Sequence, residues 1–113
     1  MTNLTELADR VETLDGPCYD TDELIGITVG FDFQFELGGA ISRPPPHYTA
    51  SLDAAMTLVP EGFDWLRKDF RTMTVVMPAA DQKAWGRHID ATGATPALAL
   101  CAAALRARDA LAP

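Results

Sequence analysis

The most informative segment of this 113-residue chain reads TPALALCAAALRAR and covers residues 95–108. Thr95 can cap the start of a helix, and Pro96 suits the first helical position, where an N–H group would have no intrahelical partner. From Ala97 to Leu105 the helix is apolar on every side. A helix with no polar side cannot face water along its middle. We therefore predict that it lies between a sheet and other helices, with cover by a second subunit as the alternative.

Three segments that precede this helix alternate apolar and polar side chains with the period of a β-strand. They are residues 63–66, 72–77 and 85–90. Val75 lies in the second segment and Ile89 in the third, each on the more apolar face of its strand. Because residues 78–83 are typical of a loop, we predict that the last two strands pair antiparallel.

Three helices nearer the N-terminus are predicted from a capping residue at the start and a breaking residue near the end. They run from the cap Asn3 to Gly16-Pro17, from the cap Asp20 through about Val29, and from the cap Ser51 to Pro60. Asn3 and Asp20 each have a glutamate three residues later, which is the capping-box pattern. Gly16 is expected to supply a left-handed C-cap for the first helix.

Between the second and third helices, phenylalanines 31, 33 and 35 alternate with polar residues and predict a further strand. Pro44-Pro45-Pro46 then predicts a stiff, extended connector. The element order is therefore α-α-(β)-α-β-β-β-α, in which the parentheses mark the further strand. We predict an α+β fold in one domain, residues 1–113, with a mainly antiparallel sheet of three to four strands layered with helices in an α/β/α sandwich-like arrangement.

The charge distribution limits the classes of partner. The net charge is −7, and residues 1–36 hold nine acidic residues and a single arginine. Such a surface disfavours nucleic acid, whose binding requires lysine and arginine, whereas it suits a basic protein or plain solvation of helices. No apolar run approaches the roughly 20 residues of a membrane span, and the N-terminus shows no signal-peptide pattern. We expect a cytoplasmic protein that binds neither membrane nor nucleic acid.

Catalytic chemistry has few candidate residues in this chain. The two histidines are His47, which follows the three prolines, and His88, on the polar face of a predicted strand. Ser51 and several aspartates would be needed for a Ser-His-Asp arrangement, but no nucleophile-elbow motif accompanies them. We predict surface or structural roles for both histidines and no catalytic residue.

The sequence also shows no motif for a metal or cofactor site. The run Asp20-Thr21-Asp22-Glu23 lacks the glycine and the glutamate of an EF-hand loop, and helix capping is our interpretation of it. Cys18 and Cys101 match no zinc-ligand spacing, so we predict buried or inert thiols. The glycines form no phosphate-binding motif. We predict neither a metal site nor a cofactor.

Aromatic side chains are the remaining candidates for a binding surface. We assign them mainly to the core. The residues concerned are Tyr48, Phe63, Trp65, Phe70 and Trp85. If a partner surface exists, we expect Trp65 and Trp85 to form it at an edge of the sheet.

Two segments resemble a known family. They read YTASLDAAMTLVPEG over residues 48–62 and ATPALALCAAALRAR over residues 94–108. Both are similar to the phage ABA sandwich domain family, small proteins of phages and prophages of alphaproteobacteria. The resemblance implies helix layers on both sides of a sheet, and it supplies no catalytic or binding residues.

With no chemistry indicated, we expect a non-enzymatic accessory or interaction protein of a phage or prophage, which contacts a protein partner or a second copy of itself. Two alternatives stay open. One is a small-ligand binder or minor enzyme with a pocket between sheet and helices. The other is an inhibitor of a host nucleic-acid enzyme that uses the acidic first third of the chain as a decoy.

Overall fold

The fold is α+β, with the element order that the sequence predicts. In the computed structural model, residues 3–31, 45–76 and 88–111 are described. The elements are α1 (Leu4–Thr13), α2 (Tyr19–Val29), α3 (Leu52–Met56), β1 (Asp64–Arg67), β2 (Thr72–Val76), β3 (His88–Thr92) and α4 (Pro96–Leu111). The further strand predicted after Gly30 falls, from residue 32 onwards, outside the described residues.

Helix α4 is enclosed, as its composition predicts. The Leu98 N–H donates to Thr95 Oγ1 at 3.2 Å, which confirms the cap. Every residue from Ala97 to Leu105 is buried. One side of α4 contacts β2 and β3, and other sides contact α1 and α3. Because a single chain covers the helix, a second subunit is not needed to shield it from water.

The three strands form one antiparallel sheet in the order β1-β2-β3. Trp65, Val75 and Ile89 are partners across the sheet and lie on the side that packs against the core. The pairing of β2 with β3 is confirmed, although β3 runs on to Thr92, two residues beyond the predicted end. The reason is that Thr92 still has a partner, Thr72, in the neighbouring strand.

Gly93 connects β3 to α4 at a point where a side chain has no space. A Cβ atom there would lie 2.6 Å from the backbone nitrogen of Ala99 and 2.9 Å from the Cβ of Leu98. Such distances are far below van der Waals contact, so glycine lets the end of the sheet approach the first turn of α4. This close approach sets how the buried helix sits against β3.

Helix α1 ends earlier than predicted. Its C-cap is Leu14, in an extended conformation, and the left-handed Gly16 cap is wrong. The Thr13 hydroxyl donates to the Arg10 carbonyl, which occupies an acceptor of the last turn. Leu14 then leaves the helix to pack on the core.

Helices α2 and α3 also differ from the prediction at their ends. Helix α2 begins at Tyr19 with Cys18 as N-cap, so Asp20 lies inside the first turn and is not the cap. The left-handed Gly30 closes α2. Helix α3 is capped by Ser51 as predicted, but it ends at Met56, well before Pro60, because the Thr57 hydroxyl bonds back to the last turn.

Candidate functional site

A buried carboxylate joins α2 to the segment before α3. Asp22 is 2 % exposed, and its Oδ1 accepts hydrogen bonds from the Thr49 backbone N–H at 2.8 Å and the Thr49 hydroxyl at 2.9 Å. The Thr49 hydroxyl oxygen in turn accepts from the Cys18 N–H at 2.9 Å. Our interpretation of this acidic run as helix capping is therefore wrong for Asp22. This residue instead connects α2 to the segment before α3.

The sequence carries a signal that identifies Asp22. It lies three and four residues before Ile25 and Gly26, which are buried, so it belongs to the inward face of α2. A carboxylate on an inward face requires hydrogen-bond donors from elsewhere in the fold. Sequence reasoning missed the residue because it grouped Asp22 with its exposed neighbour Asp20.

His47 lies near this carboxylate without bonding to it. Its Nδ1 is 3.9 Å from Asp22 Oδ2, beyond hydrogen-bond range, and its side chain is 71 % exposed. The Ser51 hydroxyl accepts from the Ala54 N–H at 3.3 Å, so it serves as the α3 cap. His88 lies exposed on β3. These contacts give the groups structural and surface positions, with no proton-transfer chain among the described residues.

The two cysteines differ in chemical character. The nearby Thr21 hydroxyl and backbone N–H, and the Asp20 N–H, lower the pKa of the partly exposed Cys18 thiol. Burial raises the pKa of the Cys101 thiol, which donates to the Tyr48 carbonyl oxygen at 2.9 Å. The prediction of a buried thiol is confirmed for Cys101, whereas Cys18 is partly open to solvent.

The outward side of α2 exposes two large apolar side chains with two acids between them. We call Tyr19, Asp20, Glu23 and Ile27 the α2 face. Tyr19 is 50 % exposed and Ile27 is 61 % exposed. These residues are spaced three and four apart, so they form one continuous strip of the helix surface. The inward strip is buried, which leaves the α2 face as the side turned to solvent.

A second surface with an exposed apolar residue lies in the turn between β1 and β2. We call residues 67–71 the hairpin tip. Phe70 is 72 % exposed there, and the Arg71 N–H donates to Asp69 Oδ1 at 2.8 Å to hold the turn. Lys68 forms an ion pair of 2.9 Å with Asp90 on β3. The tip thus holds an aromatic ring in solvent among three basic side chains.

The predicted aromatic residues are divided between core and surface. Tyr48 is buried, and Phe63 and Trp65 are partly buried against the core, as assigned. The core assignment of Phe70 is wrong, because this residue falls in a turn and not on a strand face. Trp85, the second predicted binding tryptophan, lies outside the described residues. Trp65 lies on β1, at an edge of the three described strands, with its ring directed toward the core.

Arg106 binds α4 to α1 through two carboxylates. Its Nη2 donates to Asp9 Oδ1 at 2.7 Å and also to Glu12. The hydrogen bond from Arg106, together with one from the Thr92 N–H, lowers the pKa of Glu12. The charge of this arginine is therefore offset by partners in its own chain.

A small cleft opens beside this ion-pair network. Its volume is about 250 Å³, and its lining comprises Thr5, Ile89, Arg106, Asp109 and Ala110. Pockets that hold drug-sized ligands are typically ~300–1,000 Å³. The Thr5 hydroxyl bonds Asp109 across the cleft at 3.1 Å, so the polar groups here are already paired with one another.

Three further observations concern partners and relatives. In the described ranges, no group of three or more acidic, histidine or cysteine side chains is arranged to hold a metal ion. None of the described helices combines the length and the apolar character needed to cross a bilayer. Comparison with family models, with curated proteins and with solved structures finds no match for this chain.

Proposed function

We propose that this protein acts as a non-enzymatic interaction protein, and that the α2 face is its contact surface for a basic protein partner. The observation that carries the proposal is the exposure of two large apolar side chains, Tyr19 and Ile27, in a strip that also holds two acids. Exposed apolar side chains interspersed with charge on one helix face can form a protein-binding surface.

The chemistry of the α2 face defines the partner. Tyr19 and Ile27 offer apolar area whose removal from water drives association at roughly 25 cal/mol per Å². Asp20 and Glu23 favour lysine and arginine opposite them and disfavour acidic surfaces. The net charge of −7 speeds the encounter with a basic partner at low salt. Together these features support a partner with an apolar patch bordered by basic side chains.

The resemblance to phage ABA sandwich proteins supports a setting in a phage or prophage, where the protein would act as an accessory factor in the cytoplasm of the bacterial host. The partner would then be a host or phage protein. One suitable class is a host nucleic-acid enzyme, whose substrate groove is basic. In that case the α2 face would act as an acidic decoy.

Capture experiments with matched variants test the proposal. The bait is the full chain, and the variant Tyr19→Ser/Ile27→Ser removes the apolar part of the α2 face. Met56→Ser is the control, because Met56 is an exposed apolar residue of α3. We expect wild type and control to retain the same partner in stoichiometric amount and the double variant to lose it. Equal recovery by all three baits would contradict the proposal.

An inhibition assay tests the decoy version. Reversing Asp20 and Glu23 to lysine should abolish inhibition of a host nuclease, whereas reversing the exposed Asp53 on α3 should not. Asp22 must be left intact, because it is buried and its replacement would destabilise the helix that carries the surface under test. Unchanged inhibition by the Asp20→Lys/Glu23→Lys variant would refute the decoy.

A further inference from the structure

The hairpin tip is an unusual turn. Four residues, 68–71, connect β1 to β2, and turns of this kind favour glycine, proline, asparagine and aspartate. Here the third position is Phe70, which is more exposed than any other large apolar residue described. Backbone hydrogen bonds between Lys68, Asp69 and Thr72 close the turn without help from the ring. Turn formation therefore gives no reason for a phenylalanine at this position.

The charge of the hairpin tip is opposite to that of the α2 face. Residues 67–71 contain three bases and one acid in a chain whose net charge is −7. The Arg67 side chain is exposed, and its Nε donates to the Asp69 carbonyl oxygen at 3.2 Å. Arg71 is exposed beside Phe70. Aromatic side chains and arginine are both enriched at protein interfaces.

We propose that the hairpin tip of one copy of this protein docks on the α2 face of a second copy. The inference rests on the proposed function, since it uses the α2 face as the contact surface and names a partner for it. Tyr19 and Ile27 lie eight residues apart, or about 12 Å along the helix. The Phe70 ring packs against these apolar side chains, and Arg71 pairs by charge-assisted hydrogen bonds with Glu23, which lies between them.

Both surfaces stay exposed within a single chain, so neither satisfies the other internally. Phe70, Tyr19 and Ile27 are each at least half exposed. Because the two surfaces differ, the contact between copies is head-to-tail, and a pair of copies retains one free tip and one free α2 face. Such contacts produce rings or open chains in place of a simple two-fold dimer. The interface is small, which makes assembly dependent on concentration and salt.

A charge-swap experiment on the full chain tests this contact. The hairpin variant is Arg67→Glu/Arg71→Glu, and the α2 variant is Asp20→Lys/Glu23→Lys. The control is Asp53→Lys/Glu61→Lys, which reverses two exposed acids elsewhere. Sedimentation velocity over a series of concentrations measures the weight-average mass, and circular dichroism confirms that each variant is folded.

We expect wild type and control to show a mass that rises with concentration. Each swapped variant alone should need at least tenfold higher concentration to assemble, and an equimolar mixture of the two should regain assembly, because the reversed tip then meets the reversed face. A wild type that stays monomeric at every concentration overturns the proposal, as does a mixture that fails to recover. If the α2 face captures a different protein, with a basic surface, while the wild type remains monomeric, the proposed function stands and only the proposed self-contact is refuted.

Discussion

Replacement of Asp22 by alanine should destabilise the protein far more than its position near a helix start suggests. The substitution removes the carboxylate that accepts hydrogen bonds from the Thr49 N–H and hydroxyl. Both donors then lack this acceptor, and Thr49 is buried. Hydrogen bonds to charged groups are each worth about 1.5–3 kcal/mol. Because both bonds share one acceptor atom, we expect a combined loss of about 3 kcal/mol.

The expected change in melting temperature follows from the size of the chain. Unfolding entropy of about 2.1 cal/mol/K per residue makes 1 kcal/mol equivalent to about 4 °C for a domain of this length. Asp22→Ala should therefore lower the Tm by about 12 °C, as measured by calorimetry, with a matching fall in the urea midpoint. A role limited to the helix dipole would be worth only about 0.3–1 kcal/mol.

The matched control is Asp20→Ala, which removes an exposed carboxylate from the same helical turn. We expect this variant to lose less than about 1 kcal/mol. Thr49→Val completes the comparison, because it keeps the backbone donor and removes the hydroxyl, and it should produce an intermediate loss. Equal Tm values for Asp22→Ala and Asp20→Ala would refute the reasoning.

Three other predictions concern the ion pairs, the thiols and the packing of the β3–α4 connection. The pKa of Glu12 is lowered in the folded state, so its ionised form stabilises the fold above about pH 4.3. This contribution is lost as the pH falls through the folded-state pKa. Glu12→Gln should therefore be less stable than wild type in urea titrations at pH 7, and the difference should shrink at pH 3. Cys18 should react with a thiol reagent well before Cys101, giving one fast equivalent in an Ellman assay, and equal rates would contradict the contrast in burial and pKa. Gly93→Ala should destabilise the protein by about 1–3 kcal/mol, because its Cβ would lie 2.6 Å from a backbone nitrogen. Gly16→Ala is the control, since Gly16 has open space around it, and it should change the free energy of unfolding little. An unchanged free energy of unfolding for Gly93→Ala would show that the connection between β3 and α4 can shift.

Local signals account for the features that the sequence predicts well. Helix α4 carries its cap, its proline and its apolar surface within one continuous segment, so no distant partner is needed to recognise it. Likewise, the alternation in β2 is visible in five consecutive residues. The class and the order of elements follow from such patterns because each depends on neighbouring residues only.

Features that depend on distant residues were harder to predict. The role of Asp22 requires Thr49, which lies 27 positions later, and the pattern around Asp22 gives no indication of which residue that is. The exposure of Phe70 depends on the pairing of β1 with β2, which places the four residues after Arg67 in the turn. The need for glycine at position 93 follows from the tertiary contact with α4. In each case the feature depends on a contact between parts of the chain that the local pattern does not reveal.

The α2 face is the contact surface in this account, and site-specific photocrosslinking tests that claim most directly. A photoreactive phenylalanine analogue replaces Ile27 in the full chain, and the same analogue replaces Met56 as the exposed control. We predict that irradiation at position 27 yields a crosslinked protein whose mapped peptide is rich in lysine or arginine, and that position 56 yields none. Equal crosslinking at both positions, or none at position 27, would contradict the assignment of this surface.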